Sequence, residues 1–417
     1  MSPRRKGWSV ALAMLLAAIT ACAEEDGAAP PLEAIEALAS PAGPGSSASN
    51  ITAGPDGRIH LSWIEPSDSG AHALRFATLE ADAWGPPRTI ASGTGWFVNW
   101  ADFPAMTVLG DGRLAAHYLQ APVPGEGGSY AYHVRVVQSS DGGATWSAPV
   151  TAHSDRTLTE HGFASLFAAA GDSLGVIWLD GRGFDPEFGA TEEMGLRSVS
   201  IAPDGGLGAE SLIDGRTCEC CQTSVALTDG GPVVVYRNRD EGEVRDIHLS
   251  RLAAGGWSEG RPVHRDGWEI NGCPVNGPAV ASDGAARVVV AWFTGARDSA
   301  RVYASFSEDR GDTFAPPIRI DGGAPVGRVD AEMLADGGAL VSWIESGGEG
   351  GGNVLVRRVR PDGTLEEPRL VTASSGARSS GFPRMAVSGE TVVFAWTDPG
   401  DPTRVRTARA ALESLAR

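Results

Sequence analysis

Four of the five cysteines sit close together, three in Cys218-Glu219-Cys220-Cys221 and the fourth at Cys273. An even set of this kind reads first as two disulfides if the chain reaches an oxidising compartment. A bridge from the cluster to Cys273 would leave the second pair inside the cluster, closing a small ring. The strain of that ring keeps other chemistry open. Thiolates of Cys218, Cys220, Cys221 and Cys273, with His161, form a ligand set for a soft metal such as copper or zinc, and a redox-active or mixed arrangement is the third reading. Apart from that alternative, no metal or cofactor is expected. Cys-x-Cys-Cys is not a usual zinc-finger spacing, and the plain reading of His161 is a polar loop residue.

The other chemistry-bearing residues are carboxylates and guanidiniums. Asp330, Glu160, Asp180 and Asp102 are candidates to divide acid and base roles. Arg182, Arg237, Arg239, Arg297 and Arg328 carry planar forks that match a carboxylate. Asn276 adds an amide, and Trp96, Trp100 and Trp268 offer flat faces for stacking. The structural alternative is that the acids cap loops and pair with the arginines while the indoles pack in the core.

What must position these residues is a repeat. An apolar strand ending in an aromatic recurs at Trp63, Tyr118, Trp178, Tyr236, Trp292, Trp343 and Trp396. Turn signals follow the first six, near Trp84, Trp146, Leu207, Trp257, Phe314 and Leu365. A repeat of this length with four short strands predicts an all-β propeller of seven blades, with six as the alternative. The seventh repeat runs out of chain before its outer strand, and Glu33–Leu38 is placed to supply it, which would close the ring and remove its open edges. The only stretch with helical periodicity is Val405 to Leu415. In such a ring, the loops before the inner strands and those after the second strands build one mouth of the central channel. This register puts Trp100, Asp102, Glu160, His161, the cysteines, Asn276, Arg328, Asp330 and Arg384 on that mouth. Glu65, Asp180, Glu345 and Asp398 also fall there, each two residues after a repeat Trp.

Two turns are more specific. Ser139-Ser140-Asp141-Gly142-Gly143-Ala144-Thr145-Trp146 reads Ser-x-Asp-x-Gly-x-Thr-Trp, and Ser307, Asp309, Gly311, Thr313 and Phe314 repeat the pattern. Glycine admits the tight turn, the Asp accepts turn N–H groups, and the aromatic packs beneath. These resemble the Asp-box, or bacterial neuraminidase repeat, and with the blade repeat the chain resembles the sialidase-like superfamily. The resemblance implies the propeller fold. For known sialidases it also implies three arginines on a substrate carboxylate, a Tyr–Glu nucleophile pair and an Asp acid/base. The Phe/Tyr-Arg-Ile-Pro motif of that group is absent. Among the five tyrosines, Tyr118 and Tyr236 occupy the repeat-aromatic position, and Tyr130 and Tyr132 fall in a long loop or outer strand. Another glycosidase would need only two carboxylates. The segment Tyr236 to Pro278 also resembles a set of exported bacterial proteins labelled sialidase-like, through Arg237-Asn238-Arg239, Arg245-Asp246-Ile247, Asp266-Gly267-Trp268 and Gly272 to Pro278.

Residues 1–22 read as a targeting segment. Arg4, Arg5 and Lys6 precede an apolar run too short to span a bilayer, and Ile19-Thr20-Ala21-Cys22 resembles the bacterial lipobox, with Cys22 lipidated. Ala23 rather than Asp at the next position points to the outer membrane. Residues 23–31 form a tether and 32–417 a single propeller. Removing the leader takes three cations and no acid from a chain of formal net charge −18, which argues against nucleic acid or anionic headgroups as partners. The expectation is a monomeric, lipid-anchored cell-envelope propeller that binds or processes a glycan or similar ligand at its upper mouth. The alternatives are a sialidase-like glycoside hydrolase, a metal-handling protein and a protein-binding scaffold.

Overall fold

The computed structural model describes residues 35–67, 70–122, 130–188 and 191–415. The leader, Cys22 and the tether 23–31 lie outside them. Within the described residues the chain forms seven antiparallel sheets of four strands, two of them with a short extra outer strand. Each sheet is one blade.

The repeat aromatic marks the second strand of every blade. Leu174–Asp180 is buried at every position, and Val288–Thr294 at all but one, as expected of strands covered by a blade on each side. The core lies between blades: Leu119, Val134 and Val136 of the second pack against Val176, Trp178 and Val199 of the third. Trp63, Trp178, Trp292 and Trp343 are among the largest fully buried side chains. The innermost strands are Ser47–Ala53, Met106–Val108, His161–Ala168, Ser224–Thr228, Ala279–Ser282, Pro325–Met333 and Arg384–Ser388. They surround an axial cavity of about 480 Å³ that includes Asn50, Asp102, Gln222, Asp330, Glu332 and Arg384.

The seventh blade closes as the sequence predicts. Glu36–Leu38 pairs antiparallel with Arg404–Ala411, Glu36 opposite Arg409 and Leu38 opposite Thr407. That same pairing overturns the helical reading of Val405 to Leu415: residues 404–411 are a strand, and only Leu412–Leu415 coils, as a 3-10 turn. Burial there alternates with period two at Val405, Arg406 and Thr407, and a strand on each side, Glu36–Leu38 and Thr391–Asp398, satisfies the backbone. Among the described residues no helix is long and apolar enough to cross a membrane.

The two Ser-x-Asp-x-Gly-x-Thr turns fold alike. Gly143 N donates to Ser139 Oγ at 2.8 Å, and Thr145 gives its N–H and hydroxyl to Asp141 at 2.9 and 2.6 Å. Gly311 and Thr313 repeat this on Ser307 and Asp309 at 2.8, 2.8 and 2.7 Å. Both turns press on the preceding blade: Trp146 meets Phe76 edge-on, and Gly311 lies against Leu249.

Neighbouring blades are also joined at their upper ends. A polar side chain near the start of one inner strand accepts an N–H from the next blade. Asn50 takes that of Met106 (3.3 Å), Asp102 that of Phe163 (2.7 Å) and Gln222 that of Gly277 (3.0 Å). Asn276 takes that of Arg328 and Asp330 that of Met385, both at 2.8 Å.

Candidate functional site

The upper rim between blades two and three gathers the densest set of ionisable groups. Tyr132 and Glu160 face each other across a parallel bridge, with Tyr132 N donating to Thr159 O and His161 N to Tyr132 O. Side chains alternate along such segments. The Tyr132 and Glu160 side chains therefore share one face, and His133 and His161 share the other.

On the first face, the Tyr132 hydroxyl lies 2.8 Å from Asp102 Oδ2 and 2.6 Å from Glu160 Oε1. One phenolic proton cannot satisfy two carboxylates, so the group retains a further proton on one of them. Burial, with the charge of Glu160 next, pushes the Asp102 carboxyl up to about 8. Burial also raises Glu160 to about 7. Asp102 and Tyr132 are both 1% exposed, whereas Glu160 is half-buried and reaches the surface. Gly162 makes the assembly possible, because a Cβ there would stand 1.9 Å from Asp102 Oδ2.

Of the carboxylates expected from sequence, Glu160 and Asp102 are brought together and Asp180 and Asp330 stand apart from them. Asp180 accepts from the Trp178 indole at 2.7 Å and from Arg182 Nε at 2.6 Å. Burial raises its pKa, but the Arg182 hydrogen bond and charge outweigh that and hold it below the ordinary value. Asp180 is thus an anion that positions Arg182. Glu65 and Glu345 likewise accept from the Trp63 and Trp343 indoles at 2.9 and 2.5 Å, whereas Asp398 pairs with Arg406 at 3.3 Å. Asp330 latches blade seven and pairs with Arg384 at 3.3 Å.

The arginines do not converge on one point. Arg237 donates to the carbonyls of Asn276, Arg245 and Phe293, with Trp268 stacked on its guanidinium at 4.7 Å. Arg328 donates to the carbonyls of Ala377, Gly381 and Gly376 and to Ser380 Oγ, beneath Trp100 at 4.8 Å. Arg239 is held by Glu243, Glu193 and Glu219, and Arg182 bridges Asp180, Asp155 and Glu210. Buried guanidiniums whose donors are taken by main-chain oxygens brace loops. Asn276 spends its oxygen on Arg328 N and its amide on Val326 O at 3.2 Å.

The cysteines form two disulfides, Cys218–Cys221 within the cluster and Cys220–Cys273 between the upper loops of blades four and five. With every sulfur of the set bonded, the described structure offers no thiolate for the copper or zinc reading, and His161 lies instead among other histidines.

Sequence reasoning passed over Tyr132, His133, His153, Asp155 and Glu210. Tyr132 was legible only as part of a long loop or outer strand. The signal that would have found it is the pairing of two dipeptides, Tyr132-His133 and Glu160-His161, which requires the blade register to one residue.

No family model matches the chain, and no curated protein matches it. Solved structures do. An α-L-arabinofuranosidase from Fusarium graminearum, in complex with an iminosugar inhibitor, aligns with a TM-score of 0.53 at 12% identity, over 92% of this chain and 99% of that one. A protein of unknown function from Dyadobacter fermentans gives 0.47 at 14%, over 91% and 96%. NanB sialidase from Streptococcus pneumoniae gives 0.46 at 12%, over 95% and 73%. At these identities the likeness is one of fold, the β-propeller.

Proposed function

We propose that the chain is a lipid-anchored, extracytoplasmic propeller of the cell envelope, held at the outer membrane through Cys22. It binds or processes a glycan at the upper mouth, and its two repeated turns are Asp-boxes. The observation that carries the reading is the Tyr132 hydroxyl shared between Glu160 and Asp102. Two carboxyl groups within reach of one hydroxyl form a proton-holding unit, and a carboxyl that keeps its proton near neutral pH is what a general acid on a glycosidic oxygen requires. Glu160, the surface member, is the group that meets the ligand. Tyr132 and Asp102, behind it, hold and orient its proton.

The test uses protein exported to a periplasm with Cys22 replaced. A glycan array, calorimetry and a panel of aryl glycosides are run on it and on Glu160→Gln. A ligand or turnover in the parent that falls by about 100-fold or more in the variant, with thermal unfolding unchanged, supports the reading. No ligand on the array and no turnover, or an effect that Glu160→Gln leaves intact, would sink it.

A further inference from the structure

We infer that His133, His153 and His161, together with Asp155, form a binding site for a divalent first-row transition cation of the zinc or copper kind. The site lies on the face opposite the hydroxyl–carboxyl group, and the inference does not depend on that group's role.

Three elements bring the imidazoles together. His133 opens the third strand of blade two, His153 stands just beyond that blade's outer strand Val150–Thr151, and His161 opens the inner strand of blade three. They are 8%, 2% and 0% exposed. One nitrogen from each lies within 4.8 Å of the others.

Hydrogen bonding leaves this cluster short of positive charge. His161 Nδ1 faces the Thr159 carbonyl at 3.1 Å, and its Nε2 faces Asp155 Oδ2 at 3.0 Å. Both neighbours are acceptors, so a neutral imidazole satisfies only one, and Nε2 needs a proton or a cation. His153 Nδ1 meets Asp155 Oδ1 at 2.6 Å, while its Nε2 is buried with no partner, as is His133 Nδ1. A proton on His161 would leave both of those nitrogens unpaired. A cation gives lone pairs of this kind a use, since buried polar atoms without partners are costly. Anchoring one ring nitrogen on a carboxylate or carbonyl while the other stays available is also how metal-ligating histidines are oriented.

The local charge points the same way. Asp155, Asp180 and Glu210 stand beside the cluster, and the cations facing them are Arg182 and, at 3.9 Å, Arg197. Arg135 acts on the His133 side and Glu160 on the His161 side. Imidazoles with a carboxylate suit zinc, copper and nickel better than calcium or magnesium. The His153 and His161 rings are stacked at 3.7 Å and 3°, so their lone pairs lie in parallel planes. Ligating both therefore turns one ring out of the stack, while Asp155, held by the Thr157 N–H and hydroxyl and by Arg182, stays beside the rings as the anionic ligand.

The experiment uses the exported chain with Cys22 replaced and a tag free of histidine. After chelator treatment, zinc sulfate and copper sulfate are titrated by calorimetry, and the copper form is examined by electron paramagnetic resonance. One cation per chain, with nitrogen hyperfine structure from imidazoles, is expected. His133→Asn and His153→Gln should each weaken binding at least about 10-fold. Absence of binding by either cation, a copper spectrum without nitrogen coupling, or affinity unchanged in both variants would overturn the site. The spectrum is read on the parent protein, so absence of nitrogen coupling overturns the site even where a variant fails to fold.

Discussion

A single hydroxyl stands between two acids, Asp102 and Glu160, and is the donor they share. Removing it by Tyr132→Phe leaves buried Asp102 and half-buried Glu160 with no donor between them. This should cost ~1–3 kcal/mol in urea unfolding, more than loss of one exposed hydrogen bond; a change below about 0.5 kcal/mol would show that the hydroxyl holds nothing together. Glu332, on the channel wall, is a cleaner case for pH. Burial, then the neighbouring Asp330, push its carboxyl up to about 8, whereas it ionises near about 4.3 in an unfolded chain. Between these values the native state binds a proton that the unfolded state lacks, so this group's contribution to stability falls as pH rises from about 4 to 8. Glu332→Gln should therefore change little at pH 5 and stabilise by ~1–2 kcal/mol at pH 9, less than full linkage because Glu332 faces the channel. Equal effects at both pH values would exclude its charge as the cause. At this scale the sequence was half legible. Glu160 and Asp102 stand out as loop acids before inner strands, but their common partner Tyr132 follows a stretch so rich in Pro and Gly, from Pro122 to Ser129, that the start of the third strand is fixed only to within a few residues. Arg237 and Arg328 read as ligand forks because a guanidinium that grips carbonyls has the same spelling as one that grips a ligand.

At the scale of elements, the paired turns carry the blades' outer contacts. Gly143 has φ +84°, and a Cβ on it would stand 2.3 Å from Phe76 Cζ. Gly143→Ala thus combines left-handed strain with a clash into the neighbouring blade and should destabilise by ~2–4 kcal/mol. Gly142, also at positive φ but with open space around its Cβ, should lose only ~1 kcal/mol. Chemical denaturation of the two variants separates the terms, and equal losses would mean that contact with Phe76 contributes nothing. These turns were plain in the sequence because their hydrogen bonds are local: Ser139, Asp141 and Thr145 satisfy one another within seven residues. The latches Asn50–Met106, Asp102–Phe163, Gln222–Gly277, Asn276–Arg328 and Asp330–Met385 were not, since each links blades that only the folded ring makes adjacent.

For the whole molecule, two long-range devices matter, the Cys220–Cys273 bridge and the borrowed strand. The bridge closes a loop of 53 residues, and chain-entropy reasoning gives it about 4 kcal/mol. Cys273→Ser should lower stability by an amount of that order, with Cys220 then reactive toward thiol reagents; an unchanged midpoint would show that blades four and five need no staple. The number of blades and the closing strand were legible because each repeat spells out its own second strand, and the seventh lacks an outer one. The grouping of His133, His153 and His161 was not, because nothing in a one-dimensional repeat says which side of adjacent blades will share a buried face.

Glu36–Leu38 meets Arg404–Ala411 across almost the entire chain, as when Thr407 Oγ1 donates to Leu38 O. During synthesis, then, the first of the described strands waits for the last. A chain stopped short at any blade leaves Glu36–Leu38 without its partner strand and an apolar blade face uncovered at each end of the array, a template for aggregation and for quality-control recognition. The clasp is a completeness check written into topology: only a chain finished to its last strand can hide its first.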